Sequence, residues 1–103
     1  MKFHNNVNTL INKVLEDIKE CNSSVLREIQ NAPSELSKTY YILQFVSPGE
    51  YTHEEFQLAV TTGKQIEDAN EFTLEDVKFL RSKNGNNPKL LYWNKLIEKL
   101  ENK

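Results

Sequence analysis

The sequence predicts an all-α fold, a small five- or six-helix bundle or orthogonal helical array. Three observations predict it. Apolar residues recur at helical spacing in segment after segment. Two of those segments are preceded by a Thr with an acidic residue three positions later, the spacing of a reciprocal helix cap. Short Pro-, Gly- and Asn-bearing interruptions separate the segments, with no internal repeat and no long linker. A chain of 103 residues suits one domain, residues 1–103, around one core.

The elements follow in order. Phe3, Val7, Leu10, Ile11, Val14, Leu15 and Ile18 form one apolar stripe, with Asn, Lys, Glu and Asp on the other side. Asn22, Ser23 and Ser24 supply caps for a short helix carrying Val25, Leu26 and Ile29. Pro33 and Ser34 suit the first turn of a third helix running through Leu36, Tyr40, Leu43 and Val46. Its second half, Tyr40 to Val46, is apolar except for Gln44 and rich in residues that favour strands. No partner strand is visible elsewhere, so a buried helix is the preferred reading.

Ser47-Pro48-Gly49 makes a turn. Thr52 and Glu55 then form a capping box, with Tyr51 and Phe56 placed as a hydrophobic staple. That helix continues through Ala59 and Val60 towards Ile66, and Thr61, Thr62 and Gly63 are expected to end it early or bend it. Thr73 and Asp76 repeat the cap, with Phe72 and Val77 as the staple and Leu80 on the same face. Asn84-Gly85 stops this helix, and Asn87-Pro88 opens the last one. Leu90, Trp93, Ile97 and Leu100 recur there at heptad spacing, widened by Leu96.

Composition narrows the function. No apolar run approaches the length of a membrane span, and the polar-interrupted N-terminal segment does not read as a signal peptide. A cytoplasmic location is the default expectation. The single Cys21 fits a reducing compartment and reads as a small buried hydrophobe. The net charge of −2 is unevenly distributed: residues 1–49 balance, residues 50–76 sum to −7, and residues 77–103 sum to +5. Such blocks either face apart and give the molecule a dipole, or neutralise each other.

Catalytic chemistry finds little to work with. His4, His53 and Cys21 have no spacing that brings them together, and no set of His, Cys or carboxylates has zinc spacing. The stretch from Asp68 to Thr73 resembles a calcium loop only in its acids. Phe72 and Thr73 occupy the positions of a ligand and the turn glycine, and Phe79 that of the closing carboxylate. Gly49, Gly63 and Gly85 are isolated, so no phosphate-cradling loop is expected. No enzyme activity, metal or cofactor is expected.

The leading reading is a non-enzymatic protein-protein interaction module of the inhibitor, immunity, antitoxin or phage-accessory kind, occluding a basic partner surface with an acidic rim. Tyr51, Glu54, Glu67, Asp68, Glu71 and Glu75 are the candidate contact residues, with Tyr41 as an alternative aromatic anchor. The plainer account is that acidic residues favour helix N-termini. A second reading takes residues 73–101 as a helix-turn-helix. Lys78, Arg81, Lys83, Asn86 and Lys89 would then contact nucleic acid. The pI of about 5.7 argues against it, Trp93 lies on a core stripe, and the dipole of the last helix accounts for Lys95, Lys99 and Lys103. A third reading is a homodimer through the heptad face of the first or last helix.

Two segments are similar to pieces of the colicin-type endonuclease immunity proteins, small helical bundles that inhibit a toxic nuclease. One runs Tyr51-Thr52-His53-Glu54-Glu55-Phe56 and on to Val60-Thr61-Thr62; the other is Val77-Lys78 with Arg81 and Asn84-Gly85. They cover about one fifth of the chain, in that family's order. The family carries a long acidic helix and a tyrosine pair between the two pieces. Only fourteen residues intervene here, and Tyr40-Tyr41 precedes both. No binding residue is carried over; the resemblance adds weight to an inhibitory role.

Overall fold

A computed structural model describes residues 5–83 and 89–102. Six helices follow one another among them: α1 (Asn5–Cys21), α2 (Ser23–Gln30), α3 (Glu35–Leu43), α4 (His53–Ala69), α5 (Leu74–Lys83) and α6 (Leu90–Glu101). The described residues include no strand. The fold is the small all-α assembly that the apolar periodicity predicts.

Helix α1 buries Val7, Leu10, Val14 and Ile18, with Ile11 and Leu15 at the edge of the core. Phe3 lies outside the described residues. Asn22 occupies the cap position of α2, but its side chain accepts the Ser24 hydroxyl at 2.7 Å instead of a backbone amide. Helix α3 begins later than expected, since its pattern places Pro33 and Ser34 in the first turn. Ser34 itself is the N-cap, so Pro33 precedes the helix. Ser37 takes the place usually held by a Glu: its amide donates to the Ser34 hydroxyl oxygen at 3.2 Å, and its own hydroxyl oxygen accepts the Ser34 amide at 3.3 Å.

Residues Tyr40 to Leu43 are helical and buried, which settles the choice between helix and strand. The segment is apolar on every side because α3 packs against α1, α2, α4 and α5 at once. The helix is shorter than its pattern suggests. It stops at Leu43, and the amides of Phe45 and Val46 turn back to the carbonyls of Ile42 and Leu43 at 3.1 and 3.3 Å. Val46 is buried from this turn rather than from the helix.

Helix α4 starts as its cap predicts. The Glu55 amide donates to the Thr52 hydroxyl oxygen at 3.1 Å, and Glu55 accepts the Thr52 amide at 2.9 Å. It does not break at Thr61-Thr62-Gly63 but runs on to Ala69. Thr62 is buried, and Gly63 lies beside the Tyr40 ring, so packing overrides the low helix propensity of the trio. Asn70 ends the helix with φ of 55°, a left-handed position that Asn tolerates.

Thr73 and Asp76 cap α5 reciprocally, at 3.0 and 3.2 Å. Asp76 has a second partner that its spacing does not reveal: it accepts the Ser34 hydroxyl at 2.6 Å. One buried carboxylate thus joins the starts of α3 and α5. The Asn84-Gly85 stop and the Asn87-Pro88 start lie outside the described residues. Helix α6 packs on α5 and buries Trp93 and Ile97, with Leu96 and Leu100 beside them.

Leu10, Val14, Leu43 and Trp93 share one interior, and Phe56 packs against it. At its centre Tyr40, Phe72 and Trp93 meet edge to face, with ring centroids 5.5, 5.6 and 5.9 Å apart. Edge-to-face contacts of this kind add about 0.5–1.5 kcal/mol each beyond the area they bury.

A candidate protein-binding surface on α3 and α4

Two small residues shape an open concavity between α3 and α4. Ala59 and Gly63 stand one turn apart on α4, and no side chain rises from Gly63 towards Tyr40; a Cβ there would lie 3.8 Å from the ring. An open trough of about 760 Å³ results between α4 and the end of α3. Leu43 and Val46 line one wall, and Phe56, Ala59 and Val60 the other. Val60 is 51% exposed, although valine in a helix normally seeks cover. Lys64, Glu67, Asp68 and Lys89 border the trough as well.

Tyr40, Glu67 and Lys89 close into a cluster at this border. The Tyr40 hydroxyl donates to Glu67 at 2.5 Å, and the Lys89 ammonium donates to the Tyr40 oxygen at 2.9 Å and to Glu67 as well. Burial, reinforced by the bond to Glu67, pushes the Tyr40 hydroxyl far above the usual tyrosine range. The phenol stays protonated at neutral pH, so it serves as a donor and not as a base.

The candidate acidic residues divide by location. Glu54, Asp68, Glu71 and Glu75 are exposed, whereas Glu67 is half-buried and bound to Lys89 and Tyr40. Glu54 and Glu75 sit in the first turns of α4 and α5, where the helix dipole favours them. Asp68 is in the last turn of α4, where the dipole disfavours a carboxylate, and that turn holds no basic residue. Glu71 follows in the loop to α5.

Both aromatic anchors are corrected. Tyr51 is buried, with its hydroxyl donating to Asp17 at 2.7 Å. Tyr41 is buried, donates to Glu28 at 3.1 Å, and is pushed up to about 12 by burial and then by that bond. Neither ring is exposed on the surface. Cys21, read as buried, is exposed at the end of α1. His53 is exposed in the first turn of α4, and His4 lies outside the described residues.

The basic candidates are largely engaged within the molecule. Arg81 donates to Asn94 at 3.2 Å, Lys83 pairs with Glu28 at 3.7 Å, and Lys89 belongs to the Tyr40 cluster. Lys78 is exposed, and Asn86 lies outside the described residues. Trp93 is fully buried, a core residue and not a stacking platform. The stripes of α1 and α6 face the interior, so a homodimer through either would have to uncover Val14 or Trp93. Among the described residues no helix is long and apolar enough to cross a membrane. None of their His, Cys, Asp and Glu side chains form a group of three or more that could hold a metal ion.

Comparison with protein-family models, curated proteins and solved structures finds no match. Of the two segments that resemble immunity proteins, the first spans the cap, start and middle of α4, and Val77, Lys78 and Arg81 of the second lie in α5, whereas its Asn84-Gly85 lies outside the described residues. The trough itself has no signal in the sequence. It arises where Gly63 and Ala59 face the end of α3, and the only trace is a helix-interior glycine beside an apolar segment.

Proposed function

We propose that the chain is a non-enzymatic protein-interaction module that occludes a basic partner surface, in the manner of an inhibitor, immunity protein or antitoxin. The observation that carries this reading is the exposed pair of Asp68, in the last turn of α4, and Glu71, in the loop that follows. Helix capping explains Glu54, Glu75 and Asp76, and Lys89 neutralises Glu67, but neither account covers Asp68 and Glu71. Carboxylates held at the negative end of a helix dipole project a field that attracts cations and speeds encounter with a basic surface. The engagement of Arg81, Lys83 and Lys89 inside the molecule favours this surface over a nucleic-acid face on α5 and α6.

The test is a capture experiment with two baits, the native chain and the Asp68→Lys, Glu71→Lys, Glu75→Lys variant. Circular dichroism should show the same helix content for both, because all three side chains are exposed. A basic protein retained by the native bait and lost from the variant, with association that slows as salt rises, is the expected result. Partners held equally by both baits would remove the acidic surface from the mechanism.

A further inference from the structure

We draw no further inference here: the strongest candidate, the open apolar trough between α4 and the end of α3 with Val60 exposed on its lip, carries nothing because its lining charges cancel, Lys64 and Lys89 against Glu67 and Asp68, and nothing in the structure shows what covers it.

Discussion

Asp76 shows how one side chain can carry more than its local sequence implies. Its spacing from Thr73 marks it as a capping residue, and so it is. Its bond to Ser34 joins residues 42 positions apart and becomes visible only once α3 and α5 are packed. Burial works to push its carboxyl up, but the hydrogen bonds from Ser34, the Thr73 amide, Ser37 and the Thr73 hydroxyl outweigh burial and hold it below the usual carboxylate range. The depressed pKa sets the sign of the pH dependence. The contribution to stability is complete above the unfolded-state value near 3.9 and is lost as pH falls through the lower folded value. Asp76→Ala removes a cap and strands two donors, so a loss of about 2–4 kcal/mol is expected by urea denaturation at pH 7. The gap between native and variant should narrow below about pH 4. A gap that stays constant down to pH 2 would show that the charge of Asp76 is not what stabilises the junction.

At the scale of elements, the helix starts were the most legible part of the chain because they are local. Thr52 with Glu55 and Thr73 with Asp76 lie three residues apart, and the backbone alone brings each pair together. The box before α3 was harder to see, since Ser37 does the work usually given to Glu or Gln. Helix ends and continuations depend on neighbours. Gly63 looked like a weak point, and only the contact of α4 with α3 shows why the helix passes through it. Gly63 is also an unexploited stability gain. An added Cβ would sit 3.8 Å from the Tyr40 ring, ordinary van der Waals contact, and would meet no other heavy atom within 4 Å. Gly63→Ala is therefore expected to stabilise the protein by about 0.5–1 kcal/mol, raising the melting temperature by roughly 4–8 °C per kcal/mol for a domain of this size. A destabilised variant would mean that the trough wall is tighter than its spacing implies.

At the scale of the molecule, the sequence divides into an acidic and a basic block but does not say whether they meet. Among the described residues they meet in one ion pair, Glu67 with Lys89, while Glu55 and Lys83 pair instead with Lys13 and Glu28 of the balanced first block, residues 1–49. The blocks are therefore neither fully separated nor mutually neutralised, and the exposed acids of the acidic block divide between the start of α4, with Glu50 and Glu54, and the stretch from its end to α5, with Asp68, Glu71 and Glu75. This was illegible beforehand because it depends on where α6 begins relative to α4, a distance that no local pattern encodes. The Glu67–Lys89 pair should couple more strongly than a typical surface pair, because Tyr40 donates to the same carboxylate and Glu67 has only 20% of its side chain exposed. The 43% exposure of Lys89 limits the gain. A double-mutant cycle with Glu67→Gln and Lys89→Met is expected to give a coupling of about 0.5–1 kcal/mol at low salt, declining in 1 M NaCl. The equivalent cycle on Lys13 and Glu55, where the lysine is 50% exposed, should give a smaller coupling. Equal couplings would mean that the Tyr40 cluster adds nothing to a surface contact.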